Sequence, residues 1–229
     1  MNLRKLSALL IASLFLCVAL ACAQGSYKVT AGGAPDAAIP APLRAVLEPQ
    51  GVQFSGTQGA AVCEIWWRKD IPEGTNAGAS ADILYGGLSM GEFVGVLHFP
   101  AAGKDFRGQA IKAGYYTLRY ALIPQDGNHM GVSSYRDFLL LIPVADDANP
   151  DQNLSFDAVV KASRLTAGTG HPAVLMLDPP SQNANAKFPS AAQDDQGNWA
   201  MDVKLDAKSA AGAAAQLPFA VVLVGQYQG

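Results

Sequence analysis

Tyr115-Tyr116-Thr117-Leu118-Arg119-Tyr120-Ala121-Leu122-Ile123, followed by Arg136-Asp137-Phe138-Leu139-Leu140-Leu141-Ile142-Pro143, decides the fold. In the first run Tyr116, Leu118, Tyr120 and Leu122 recur at every second position, which puts them on one face of an extended strand. The second run is apolar throughout and bounded by Asp and Pro. Between the two lies Pro124–Tyr135, a polar connection containing Gln125-Asp126-Gly127-Asn128, a turn-forming set. Two strands joined by a turn make a hairpin, and Gly114 allows a tight entry into it.

Working outward, the same signals recur. Val52 and Phe54 alternate, Gly56 to Gly59 reads as a turn, and Ala61 to Arg68 alternates again, giving a further hairpin. Glu92–Phe99, Ala173–Leu177, Trp199–Leu205 and Phe219–Tyr227 read as strands between clusters of Gly, Pro, Asn and Asp. Some seven to nine short strands of this kind predict an all-β chain, either sandwich or barrel, and an antiparallel β-sandwich is the expectation adopted. One convincing helix interrupts the pattern as a short crossover. Ser155 caps its start, Asp157 faces the positive end of its dipole, Lys161 and Arg164 lie near the other end, and Gly168 stops it. Pro42 to Glu48 can form one further short helix, with Leu43, Val46 and Leu47 on one side. Ala207–Ala215 is Ala-rich but holds Gly212, and is expected to be loop.

The first segment has the layout of a secretory signal. Arg4 and Lys5 precede an apolar run from Leu6 to Leu20, and Ala21-Cys22-Ala23 offers small residues for cleavage before Gln24. The run is about 15 residues, short of the roughly 20 that span a bilayer. The organisation expected is therefore a signal peptide at 1–23, a Gly-, Ala- and Pro-rich flexible lead at 24–41, and one β-sandwich domain at 42–229. The protein is expected outside the cytoplasm, periplasmic or extracellular; the alternative is a lipid anchor on Cys22. Loss of Arg4 and Lys5 takes Lys+Arg from 16 to 14 against 19 Asp+Glu, a net charge of −5 with no basic run. Neither nucleic acid nor an anionic membrane is expected as partner, and none of the mature chain is expected to insert in a membrane. Cys17 and Cys22 leave with the signal, so Cys63 stands alone and the core is held by packing.

The Ile111-Lys112-Ala113-Gly114-Tyr115-Tyr116-Thr117-Leu118 stretch looks like the "Ala-Gly-x-Tyr-x-Leu" turn and strand of many exported β-sandwich modules. The wider stretch from Ile111 to Asp147 resembles a group of uncharacterised secreted bacterial β-sandwich-type proteins. Tyr116-Thr117-Leu118-Arg119-Tyr120, Pro124-Gln125-Asp126-Gly127-Asn128-His129 and Arg136-Asp137-Phe138-Leu139-Leu140 carry that resemblance. It implies export and a β fold, and brings no activity with it.

Catalytic signatures are missing: there is no G-x-S-x-G elbow, H-E-x-x-H, P-loop or Cys-x-x-Cys. His98, His129 and His171 are far apart, and Cys63 is too far from His129 and Met130 for a blue-copper loop. Asp147, Asn149 and Asp151 imitate the start of a calcium loop, but Gln152 stands where the turn needs Gly and Ala158 where a bidentate Glu belongs. No metal or cofactor is expected. Two polar sets are candidates for ligand binding. Trp66, flanked by Glu64 and Arg68 on the face opposite Cys63, Ile65 and Trp67, is either a stacking platform or a residue covered by the N-terminal segment or helix. Arg119, Asp126, His129, Arg136 and Asp137 gather around the Pro124–Tyr135 connection, with Arg119 and Asp137 placed to pair across the hairpin. They are either a recognition site or a salt-bridge network that staples the loop. The functional expectation is a non-catalytic module binding a ligand or an envelope or extracellular partner protein. The alternatives are a secreted hydrolase using Asp126, His129 and Asp137 as acid and base, and a structural envelope protein without a small-molecule site.

Overall fold

A computed structural model describes residues 26–72, 80–126, 133–181, 186–208 and 211–225. The alternating runs form strands as their periodicity requires. In chain order they are β1 (Tyr27–Ala31), β2 (Val52–Gly56), β3 (Ala61–Trp67), β4 (Ile71–Pro72), β5 (Phe93–Phe99), β6 (Gly103–Lys104), β7 (Ala110–Ile111), β8 (Gly114–Leu122), β9 (Asp137–Pro143), β10 (Val174–Asp178), β11 (Ser190–Gln193), β12 (Trp199–Lys208) and β13 (Ala214–Val224). Two helices join them, α1 (Ala41–Val46) and α2 (Phe156–Ala167). No helix among the described residues is long and apolar enough to cross a membrane.

The chain is all-β, but its strands do not form two facing sheets. Eleven of them make one curled sheet in the order β1-β2-β3-β5-β8-β9-β10-β13-β12-β11, with β4 joined parallel to β12, while β6 and β7 pair as a separate two-stranded sheet. The ends of this path come round toward each other: Tyr27 of β1 packs on Trp199 of β12 with ring centroids 5.5 Å apart. The sandwich expectation is thus corrected to a half-barrel. Period-2 alternation places residues inside or outside a sheet and is the same for both architectures, so it could not choose between them.

The concave side holds the main core, with Phe54, Ile65, Trp67, Leu97, Tyr120, Leu139, Val203 and Phe219 among its buried members. The convex side is covered in two places. Ile39, Leu43 and Leu47 lie over Trp66, Phe93 and Val96, and α2 lies over Phe138, Leu140 and Ile142. Three further expectations change. The lead expected to be flexible instead pairs, Tyr27↔Gly56 through Ala31↔Val52, and Ile39 is fully buried. Its few large side chains suffice because Tyr27 and Val29 both turn onto the core. α2 is not a crossover, since β9 and β10 are adjacent antiparallel strands and the helix packs outside the hairpin they form. The Ala-rich region expected to be loop extends the β12–β13 hairpin, with pairing out to Lys208↔Ala214. Small side chains are no obstacle to a ladder whose neighbours are already in place.

The α2 boundaries are those expected. The Ser155 hydroxyl accepts from the Ala158 N–H at 3.3 Å, and Gly168 closes the helix in the left-handed region at φ 65°.

Candidate functional site

Arg119 and Asp137 do not pair. Register sets Arg119 opposite Leu140 and Asp137 opposite Leu122, so the two lie three positions apart along the hairpin and on opposite faces of the sheet. Arg119 is on the convex face, 1% exposed, and every N–H of its guanidinium is engaged. Nε and Nη2 grip the two oxygens of Asp147 at 2.8 and 2.6 Å, and Nη2 also donates to the Asn149 carbonyl at 2.7 Å. Nη1 donates to the carbonyls of Gly91 at 3.0 Å and Gln152 at 3.2 Å. Thr117 adds a 2.6 Å bond to Asp147, and the guanidinium lies 5.4 Å from the centre of the Phe93 ring. The segment that imitates a calcium loop is therefore folded around a cation, and that cation is Arg119. Among the described residues no group of three His, Cys, Asp or Glu side chains is arranged to hold a metal.

Asp137 is fully buried on the concave face. Its carboxylate accepts from the N–H of Leu84 at 2.8 Å, the N–H of Tyr85 at 2.9 Å and the hydroxyl of Tyr120 at 2.7 Å. It holds the 80–91 segment against the core, where Tyr85 and Leu88 are buried, and has no access to a substrate. Burial, reinforced by the Asp137 carboxylate, pushes the Tyr120 hydroxyl well above the usual phenol range. Arg136 donates from Nε to the Ile123 carbonyl at 2.8 Å and comes within 3.9 Å of Asp82. Asp126 is exposed, and His129 lies outside the described residues. Trp66 is 2% exposed and donates from Nε1 to the Gly33 carbonyl at 2.9 Å. It is covered by the N-terminal segment and α1, one of its two expected readings, and offers no platform.

The open polar surface is found next to Arg119, on the outer side of its loop. A cleft of about 380 Å³ is lined by Arg68, Ser89, Glu92, Gln152, Asn153 and Ser155, with Arg119 behind them. Arg68 is the last residue of the run that β3 begins, and its N–H donates to the Val94 carbonyl at 2.9 Å. Its guanidinium bonds Glu92 at 3.2 Å, Asp151 at 2.7 Å and the Pro150 carbonyl at 3.2 Å. Arg68 and Glu92 are only 12% and 14% exposed, whereas Asp151 is 70% exposed. Burial raises the Glu92 carboxyl above its ordinary value, against the opposing pull of Arg68 and Arg119. Arg68 donates to its Oε1, so the cleft presents a carboxylate beside a guanidinium.

Two glycine-level contacts shape this wall. Gly91, at φ 77°, presses against the Leu154 carbonyl so closely that a Cβ there would collide with it. Its carbonyl is also one of the acceptors of Arg119. Glu92 carried no sequence signal, being one isolated Glu at a strand start. In the sequence Arg68 stands only as a flank of Trp66, and Asp147 and Asp151 only as parts of a calcium-like loop. No protein-family model matches the chain, and no curated protein and no solved structure matches it either.

Proposed function

We propose that this is an exported, non-catalytic module that binds a hydroxyl- or amide-rich ligand in the Arg68–Glu92 cleft. The observation that carries the reading is the pair itself: two charged side chains, both mostly buried, beside a cleft of about 380 Å³. That volume falls within the roughly 300–1,000 Å³ usual for ligand sites. The wall offers donors and acceptors in near balance, from Arg68, Gln152, Asn153, Ser89, Ser155 and Glu92. A neutral polyhydroxylated or amide-bearing molecule matches such a wall better than a strongly charged one, because neither sign dominates it. Asp137, the acid–base candidate of the hydrolase alternative, is sealed among three donors, which weighs against that reading.

The test is a thermal-shift panel of neutral disaccharides and N-acetylated amino sugars on the exported protein. A ligand at a hundred times its Kd stabilises by about 2.7 kcal/mol, a shift of several degrees. A panel that moves the melting temperature nowhere contradicts this ligand class. Export rests on the Arg4–Ala23 segment, and the intact mass of secreted material is expected to begin at Gln24. Retention of Met1 or a lipid-modified Cys22 would contradict it.

A further inference from the structure

The longest paired strand but one has a gap along one edge. β12 pairs with β13 over its whole length, from Trp199 to Lys208. Its other edge is divided: β11 pairs with Trp199–Asp202, and β4 pairs with Ala207–Lys208. Between them, Val203–Asp206 has no strand partner on that edge among the described residues. In an extended strand alternate residues direct N–H and C=O to each side, so this stretch offers backbone donors and acceptors that join no ladder among the described residues. Four residues at about 3.3 Å each span about 13 Å, narrowed at the β11 end by Phe188 and Pro189, which line the cleft along this edge.

That edge is one wall of a second cleft, of about 340 Å³, which shares Arg68 with the polar one. Val52 and Trp67 stand on the facing side and Phe188 beside the strand. The Trp67 indole Nε1 is buried with no hydrogen-bond partner among the described residues. Alternation along β12 gives the cleft a pattern. Val203 and Leu205 turn to the apolar interior, while Lys204 turns outward with its Nζ 4.9 Å from the centre of the Phe188 ring. Lys204 pairs with no carboxylate among the described residues, whereas its neighbour Asp206 is held by Gln216 at 2.6 Å.

We infer that this gap binds an extended peptide segment of a partner protein, added as a strand along Val203–Asp206. Cross-strand neighbours share a face, so the segment carries apolar residues beside Val203 and Leu205 and an acidic residue beside Lys204. Main-chain bonds supply the affinity, and the apolar–acidic–apolar alternation supplies the choice of sequence. The strand edge and the Arg68–Glu92 pair meet at Arg68, but the peptide uses only Val203–Asp206, so loss of peptide binding and loss of ligand binding in the polar cleft are read by separate assays.

The probe is the peptide Val-Glu-Val-Thr, fluorescently labelled at its N-terminus and amidated at its C-terminus, read by polarisation against the full exported chain. Saturable binding is expected, at least tenfold weaker when Lys replaces the Glu. Lys204→Glu, an exposed change that leaves the core alone, is expected to reverse that order. N-methylation of the peptide at one parity of positions removes a row of ladder donors and should abolish binding, while the other parity should leave it nearly unchanged. Equal loss at both parities, no preference between Glu and Lys, or no saturation into the millimolar range overturns the proposal. So does slow hydrogen exchange of the Val203–Asp206 edge amides in protein without peptide, which would mean that the chain's own residues already fill the gap.

Discussion

Arg119 and Asp147 are a buried charge pair, and removing one partner leaves the other uncompensated. Such a loss costs about 3–5 kcal/mol. Double-mutant cycles are expected to give strong coupling between Arg119→Ala and Asp147→Ala and nearly additive effects for Arg119→Ala with Asp137→Ala, read by chemical denaturation. Coupling with Asp137 instead would mean that the two faces of the β8–β9 hairpin had been assigned wrongly. The face of Arg119 was legible, because it alternates with Leu118 and Tyr120, but that of Asp137 was not, since the apolar run it begins has no alternation. The register itself was not legible, because a polar connection of about a dozen residues does not fix which positions face each other. A second residue-level consequence concerns pH. Asp178 of β10 and Asp202 of β12 both stand opposite Ala220 of β13. Burial, then Asp194 and Asp202, push the Asp178 carboxyl up to about 6 from 3.8. A carboxyl raised in the folded state binds its proton more tightly there than in the unfolded chain. Its ionisation therefore destabilises the fold above about pH 6, and the penalty fades as pH falls toward 3.8. Asp178→Asn removes it, so the variant's melting temperature should exceed that of the wild type most at neutral pH. The difference should narrow by pH 4, and a difference independent of pH would contradict the account.

At the level of elements, the cleft wall depends on how closely the 150–155 loop approaches the turn before β5. Gly91 permits that approach and Arg119 holds it. Gly91→Ala adds a Cβ where the Leu154 carbonyl sits and demands a left-handed backbone of a non-glycine residue. It should lower stability by more than about 1 kcal/mol and open the loop, which limited proteolysis near Gln152–Leu154 would detect. Cleavage unchanged from wild type would show that the loop is held elsewhere. α2 was readable to the residue because capping chemistry is local: Ser155, Asp157 and Gly168 each act within one turn. β1 and the outer half of the β12–β13 hairpin were not, since their sequences are poor in large apolar residues. They are strands because a neighbouring edge is there to pair with. Strand propensity cannot report a partner that lies elsewhere in the chain.

The whole molecule explains why the polar residues of the β8–β9 connection proved misleading. Curling the sheet into a half-barrel sends Asp137 inward and Arg119 outward, and residues from β3, from the turn before β5 and from the loop before α2 meet at a common cleft. Arg68, Glu92 and Gln152 are distant in sequence; the pairing of β3 with β5 sets Arg68 beside Glu92, and the bonds of Arg119 to the Asn149 and Gln152 carbonyls bring the loop to them. The core, by contrast, follows from alternation alone. Cys63, Ile65 and Trp67 face inward as their spacing requires, and burial pushes the Cys63 thiol far above its ordinary value. The central claim is that recognition belongs to the Arg68–Glu92 cleft and not to the tip of the β8–β9 hairpin. Thermal shift with a stabilising disaccharide, run side by side on wild type, Glu92→Gln and Arg136→Ala, tests it most directly. The account expects the ligand's stabilisation to vanish in Glu92→Gln and to persist in Arg136→Ala. Stabilisation that survives Glu92→Gln and disappears in Arg136→Ala would place the site on the hairpin and contradict it.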